Sequence, residues 1–598
     1  MKLKKKIIAF LFIGFSLGLT LPILYCEADC VDRTIEPFFK INLLVPDGCM
    51  RQIQWVTLML EQLPKIGIGI DTFEQASYTE ILQRTYNYSG PYPIPTHDLG
   101  GYDILANEIV GDIDWDPNSL FHSSSTLPNG KNIYQYINQE MDWCINNYTS
   151  SYSLENRIKW INKIQDILYE DIPQITVLYC SSAYSFDTDF DNSSWNGFLW
   201  STSNQPMENW SCGTQTEFKY ASPYIFNKFH LLTYDSKYEA EWLHQIYNGM
   251  FERNPKSNNL YDYRLAEEVN TSDYLTYNIK IKNQAKWADG VPITSYDVNY
   301  TYSLLLNPNI VGTTTAEYWA EFLDISSIVI FDDNQYSITF KKPYVFQDSN
   351  LAIDILPKHI WENIPAEQQD DQTLSWALNN TLDSQKIIGA GPYYLEDYDE
   401  NNYIIHLKRN NYFAEWSGII PNFEDIYFIF YYEQESALAD LSSGIIDMID
   451  AQFNHHSYPT SPGIKNQFTD SVEFHEFSIN NMHPILGTGE LCPIAGKESA
   501  RHIREAISHV IPREIIIDIF LEGFGVPGVT ACPKGSIGYN NTYEPIEYSI
   551  EKALEHMYLA GYPTCATKIT GIRDIWILIF PIITITLKWK QQNRIKNH

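Results

Sequence analysis

Ala285-Lys-Trp-Ala-Asp-Gly-Val-Pro-Ile-Thr294, with Asp297-Val298 close behind, is the stretch on which the reading of the fold turns. It lies in a region, 215 to 480, that mixes alternating strands such as Leu275 to Ile281 and Tyr403 to Leu407 with short helices. Toward the C-terminus, Ile503, Ala506, Ile507 and Val510 share a helical face until Pro512, and a second helix runs to Gly523. A last helix, Ser549 to Leu559, stops at Gly561. Toward the N-terminus, Leu154 to Glu170 carries Ile158, Ile161, Ile164, Ile167 and Leu168 as one stripe behind Ser153 as N-cap. Residues 39 to 70 read strand, helix, strand: an apolar run Ile41 to Val45, a helix near Arg51 to Leu63, and Ile68 to Ile70 after Gly67. Residues 187 to 215 are polar, turn-rich and without period, as expected of a linker or long surface loop. Strands and helices interspersed in this way imply an α/β or α+β protein of more than one lobe.

Composition narrows the function. A chain of 598 residues with 44% hydrophobic and 19% charged residues is long enough for several folded units and is neither disordered nor polytopic. The net charge of -33 understates the acidity of the body, because both ends are basic. Such a body repels phosphate backbones, which excludes a nucleic-acid partner. The nine cysteines lack any CxxC spacing, so a structural zinc site is not expected; export would permit disulfides, with pairing unreadable from sequence. The N-x-S/T matches, Asn87 and Asn147 among them, are compatible with glycosylation.

The ends say where the chain resides. Met1 to Lys6 is basic and Ile7 to Leu24 carries no charge, so residues 1 to 26 read as an export signal or an uncleaved signal anchor. Leu21 to Cys26 resembles a lipobox, except that Tyr25 stands where that signal wants a small residue. Ile575 to Leu587 is apolar, bordered by Trp576 and Trp589 and followed by a basic tail, 590 to 598. It is read as a C-terminal anchor over 575 to 589, with a buried terminal strand as the alternative.

Eight further segments carry a resemblance. They are Ile246-Tyr-Asn-Gly-Met-Phe251, Arg264-Leu-Ala-Glu267, Ile355-Leu-Pro-Lys-His-Ile-Trp361, Gly389-Ala-Gly-Pro-Tyr393, Arg409-Asn-Asn-Tyr-Phe413, Leu441-Ser-Ser-Gly-Ile-Ile-Asp447, the run Ile503 to Arg513, and Ala560-Gly-Tyr562. With the opening stretch, they resemble the dipeptide/oligopeptide class, family 5, of extracellular solute-binding proteins of ABC transporters. The resemblance implies a two-lobed, periplasmic-binding-protein-like (type II) α/β fold with mixed sheets and a hinge. The order is unusual: elements resembling the family's C-terminal part lie at 39 to 195, ahead of its N-terminal part at 215 to 480 and the remainder of the second lobe at 485 to 562. This reads as a circular permutant in which 187 to 215 joins the usual termini; a chimera of two broken tandem genes is the alternative. Permutation is physically reasonable, because termini of compact domains are often close together.

What the resemblance implies about function is a receptor that captures di- or oligopeptides in an interlobe cleft and delivers them to an ABC permease. It would act as a monomer, at the outer face of the cell membrane, with no cofactor and no covalent chemistry. A binding protein for another solute, such as a nickel complex or a sugar, or a surface structural protein, is the alternative. Gly111-Asp112 followed by Asp116-Pro117 is similar to the family's amine-binding neighbourhood, with one extra residue, and makes Asp112 the candidate partner of a ligand α-amino group. A buried carboxylate selects an ammonium because either charge left alone in a cleft is costly. Ile109, Val110 and Gly111 are expected along the ligand main chain, Tyr247, Asn248 and Gly249 opposite, and Gly391 and Tyr393 in the same cleft. Ala390 stands where the family usually has Thr and Pro512 where it often has Asp, so the exact ligand chemistry stays open. No HExxH or GxxxxGK[ST] occurs, the GxSxG letters at Gly14 to Gly18 fall inside the apolar export segment, and the adjacent His455 and His456 are read as solvated residues.

Overall fold

The computed structural model describes residues 36–564 except 49, 198, 200–203, 235, 258–259, 311–322, 324, 380–385 and 451–461. The export segment, the C-terminal anchor and the histidine pair 455–456 lie outside the described residues. Among the described residues, no helix is long and apolar enough to cross a membrane.

An 11-stranded mixed sheet organises the molecule. Its order runs Tyr393–Asp399, Ile404–Arg409, Asp425–Phe430, Glu217–Ser222, Met448–Ile449, Gln174–Asp187, Ile464–Ile479, Ile104–Val110, Phe39–Pro46, Ile68–Ala76, with Gly525–Pro527 paired onto Gln174–Asp187. The apolar run Ile41–Val45 is buried throughout because its strand pairs in parallel on both sides, with Ile68–Ala76 and with Ile104–Val110, and is covered on both faces.

Two separate cores sit at the two ends of this sheet. One gathers Trp210, Trp242, Trp287 and Trp361 from residues 184 to 448, which we call lobe I. The other gathers Ile41, Trp55, Ile104, Val177, Phe477, Ile503 and Ala553, residues far apart in the chain, and forms lobe II. A satellite cluster around Phe121, Tyr134 and Tyr148 extends it. The two long strands Gln174–Asp187 and Ile464–Ile479 pair antiparallel and run from one lobe into the other. Their register is interrupted where Ser181 opposes Asp470 and Tyr179 opposes Phe474, between the two cores.

Local chemistry explains the elements. In the stretch that opened the reading, Trp287 is buried in lobe I, and Asp297 accepts the Thr294 N–H at 2.8 Å and the Lys358 N–H at 2.9 Å. One carboxylate thus caps the helix Ser295–Leu305 and pins the next turn to it. The helix Leu154–Asp171 starts at Ser153, whose hydroxyl accepts the Asn156 N–H. Its buried face includes Arg157 and Gln165, while Ile158 is exposed, so the isoleucine stripe is rotated from its expected position. The second of the two helices expected over 498–523 is reduced to Arg513–Ile515 and one π-helical turn, Ile516–Phe520, because Arg513 turns inward onto backbone carbonyls of Ser508 and Thr176. The polar segment 187–215 is not only a surface loop: Phe190, Trp195, Met207, Trp210 and Cys212 are buried in lobe I, since its scattered aromatic side chains reach the core from an irregular backbone. Cys144, Cys212, Cys492 and Cys532 are buried thiols outside any disulfide.

Candidate functional site

The strand Ile104–Val110 pairs with Ile464–Ile479 along its length but with Phe39–Pro46 only at Ile104 and Leu105. Beyond that point its second edge faces a cleft between the lobes. A cavity of about 510 Å³ follows this edge, lined by Glu108, Ile109 and Val110 together with Tyr78, Tyr86 and, from lobe I, Tyr344. A second cavity of about 550 Å³ lies on the lobe I side, against Gln205, His244, Asn248, Arg264 and Asp354. Val110, Gly111, Asp112 and Ser349 border both.

Three alternate aspartates on the loop after this strand each meet a different partner. Arg253 of lobe I reaches across with one Nη donating to both oxygens of Asp112, at 2.6 Å each. Its guanidinium also lies over the Tyr261 ring, 5.9 Å from the centroid. Asp114 is buried against Arg157, which lies over the rings of Tyr148 and Phe346. Burial opposes the Arg157 charge, but Asp114 outweighs it and holds the guanidinium above its ordinary value. Asp116 accepts the Tyr344 hydroxyl and the Asn118 N–H. Burial pushes its carboxyl up to about 7, against the lowering effect of that N–H.

The lobe I loop carrying Tyr344 and Phe346 enters lobe II. Phe346 is buried within the satellite cluster of lobe II, and the Val345 N–H donates to the Thr149 carbonyl at 2.8 Å. Tyr152 and Tyr274 stack across the same boundary with ring centroids 3.5 Å apart. The lobes are therefore closed on one another by side chains of the protein itself.

Deeper in the lobe I cavity, Arg264 is buried between Glu208, at 2.6 Å, and Glu252, at 2.9 Å, and donates to Asn248 Oδ1. Burial pushes Glu252 up to about 7, although Arg264 opposes it. His244 and Asp354 form another pair at 2.6 Å. The charged groups on the floor of the cleft are thus paired with one another, and apolar side chains such as Leu231, Leu232 and Phe251 line the same cavity.

Of the residues expected from the sequence, Ile109, Val110, Gly111, Asp112 and Asn248 line these cavities. Val110 is 60% exposed at the strand edge. Gly249, Gly391, Tyr247 and Tyr393 do not line them. Gly391 donates its N–H to the Ile246 carbonyl at 2.6 Å, and a Cβ there would lie 2.4 Å from the Gln245 carbonyl oxygen. Gly249 is pressed in the same way onto Ala352. Tyr247 and Tyr393 are wholly buried in the lobe I core, where their rings hold the packing of those backbones. These positions build the wall behind the cleft rather than its surface. Sequence reasoning missed Arg253, Tyr344 and Phe346. Only Arg253 had a nearby signal, standing two residues after the Ile246–Phe251 element.

The family model described as "Bacterial extracellular solute-binding proteins, family 5 Middle" matches residues 261–589. The chain belongs to this family. The matched span of this family 5 protein therefore includes residues 575 to 587, the run expected to be an anchor. Among curated relatives, "Oligopeptide-binding protein AppA" of Bacillus subtilis is 25% identical over 385 residues, covering 62% of this chain and 63% of the relative. "Heme-binding protein A" of Haemophilus influenzae is 24% identical over 334 residues, covering 53% and 57%. The chain thus spans less than two thirds of the length of these relatives. Among solved structures, AppA from Bacillus subtilis in complex with a nonapeptide aligns with a TM-score of 0.41 at 19% identity, over 58% of this chain and 64% of that one. The substrate binding protein CtaP from Listeria monocytogenes aligns with a TM-score of 0.42 at 18% identity, over 58% and 65%.

Proposed function

We propose that this family 5 protein is an exported receptor that captures a peptide between its lobes and passes it to an ABC transporter permease, without covalent chemistry. The observation that carries the reading is the strand edge Asn107–Val110, paired on one side only and bordered by a groove with Tyr78, Tyr86 and Tyr344. An extended peptide can add to such an edge through main-chain hydrogen bonds, which is indifferent to sequence, while side chains enter the flanking cavities. Asp112 would take the ligand's α-amino group after Arg253 withdraws, because a carboxylate already paired to a cation at this spot accepts another in its place. Residues 1–26 and the apolar run 575–587 would tether the receptor to the outer face of the membrane.

Thermal unfolding of the chain with and without a pool of short peptides tests the proposal. Ligand at about a hundred times its Kd adds about 2.7 kcal/mol, which raises the midpoint measurably. The gain is expected to vanish in Asp112→Ala. A midpoint indifferent to peptides would remove the peptide reading.

We also propose that the chain is a circular permutant. Its support is that Tyr562, three residues past the last described helix, stacks on Phe38 with ring centroids 5.1 Å apart and has its ring 5.3 Å from that of Phe39, the proximity that a junction at this point requires. A chain rejoined as 217–564 followed by 36–216 is expected to fold to the same stability; failure of that chain to unfold cooperatively would refute the permutation.

A further inference from the structure

Outside the cleft, two helices of lobe II bring three metal-ligating side chains to one point. His502 and Glu505 stand three residues apart on the helix Lys497–His509, one turn along the same face, and His556 comes from the packed helix Ile550–Leu559. The Nδ1 atoms of His502 and His556 are 3.0 Å apart. Glu505 Oε2 lies 3.3 Å from His556 Nδ1 and 3.9 Å from His502 Nδ1. Bonds of about 2.0–2.2 Å in a tetrahedral zinc site set neighbouring ligand atoms about 3.3–3.5 Å apart, and the three observed separations bracket that value.

The surroundings suit the same chemistry. His502 Nε2 sits 3.5 Å from Glu498, a carboxylate that favours the proton on Nε2 and leaves the Nδ1 lone pair facing its partners. His556 stacks on His509, whose ring is fixed by the Glu547 carbonyl at 2.8 Å. Arg501 donates to Glu498 and, at 2.7 Å, to the same Glu505 Oε2, so a metal would share that oxygen with the guanidinium; two carboxylates against one guanidinium leave these three groups an excess negative charge. The side chains keep 14%, 23% and 19% exposure for His502, Glu505 and His556, which leaves an approach for a cation and for a fourth, water ligand. None of the three lines either cleft cavity.

We propose that His502, Glu505 and His556 form a site for a divalent transition-metal ion of the Zn²⁺ type, which clamps the helix Lys497–His509 to the helix Ile550–Leu559. Two imidazoles and one carboxylate select borderline ions such as Zn²⁺ over the oxygen-seeking Ca²⁺ and Mg²⁺. The sequence does not announce the site, because its third ligand lies some fifty residues beyond the other two.

The experiment is calorimetric titration of the EDTA-stripped full chain with ZnCl₂, paired with thermal unfolding. One equivalent is expected to bind and to raise the midpoint, in a manner that excess Ca²⁺ or Mg²⁺ does not prevent. Co²⁺ at the site is expected to show the intense visible absorption of tetrahedral coordination. His556→Gln should abolish the signal and Glu505→Gln should weaken it by roughly tenfold or more, both with the metal-free midpoint retained. His455→Gln/His456→Gln should leave it intact. Absence of stoichiometric Zn²⁺ binding, or binding that survives His556→Gln and Glu505→Gln, would overturn the proposal. Glu505→Gln serves as the decisive variant if His556→Gln fails to fold.

Discussion

Replacing Glu476 by Gln should flatten the dependence of stability on pH. Glu476 is wholly buried on the long strand Ile464–Ile479, and its Oε1 accepts both the Tyr134 hydroxyl at 2.8 Å and the Ser478 hydroxyl at 2.5 Å. Its Oε2 is buried with no hydrogen-bond partner among the described residues. Burial therefore pushes the carboxyl up to about 7 from its ordinary 4.5, with the two hydroxyls pulling the other way. Between those values the folded chain holds a proton that the unfolded chain has released. The group costs nothing below pH 4.5, and its cost grows as pH rises, to roughly 3 kcal/mol above the folded value. Glutamine keeps an oxygen for both hydroxyls and carries no titrating proton. Its buried NH₂ adds a constant cost of about 1–3 kcal/mol, so the slope rather than the offset is diagnostic. Urea denaturation of both proteins between about pH 5 and about pH 8 measures it: the wild type should lose up to about 1.4 kcal/mol per pH unit relative to the variant over this window. Parallel curves would refute the assignment of a buried, protonated carboxyl.

Two further outcomes follow from the cleft and its wall. Arg253→Ala releases Asp112 from its internal partner; the ligand-free chain should scatter as a larger particle in small-angle X-ray measurements, and a peptide should bind about tenfold tighter, the equivalent of about 1.5 kcal/mol for one lost charged hydrogen bond. Weaker binding would mean that Arg253 itself holds the ligand. Gly391→Ala should cost about 1–3 kcal/mol in denaturant unfolding, because its Cβ would meet the Gln245 carbonyl at 2.4 Å, where only backbone can give way; an unchanged midpoint would show that the wall is softer than its packing suggests.

Much of the architecture was legible because it rests on local periodicity. The mostly apolar run Ile41–Val45, the Ser153 cap and the helix stopped before Gly561 each advertise one element within a few residues. The recognised motifs gave the class of protein because their letters serve local needs, as Asp297 does in capping a helix and anchoring Lys358. The candidate site was only half legible. Asp112 stood out among alternating aspartates, but its partner Arg253 is 141 residues away and belongs to no pattern. The resemblance implies a cleft position for Tyr247 and Tyr393, but aromatic rings suit both a core and a binding surface, and only packing decides between them. The histidine cluster stayed hidden for the same reason as Arg253, since the contact of two helices, not a spacing, brings its members together.

The two long strands between the lobes have a mechanical consequence. Apart from the Tyr344–Phe346 loop, which enters lobe II and returns, the described chain passes between the two lobes through one antiparallel pair, whose register breaks at the crossing. A two-stranded ribbon is compliant when flexed across its flat face and stiff when sheared within its plane, because in-plane displacement must stretch several ladder bonds at once. Once the Tyr344–Phe346 loop is released from lobe II, rotation about this ribbon is the compliant direction left to the lobes, so any opening of the cleft would be read as one angle.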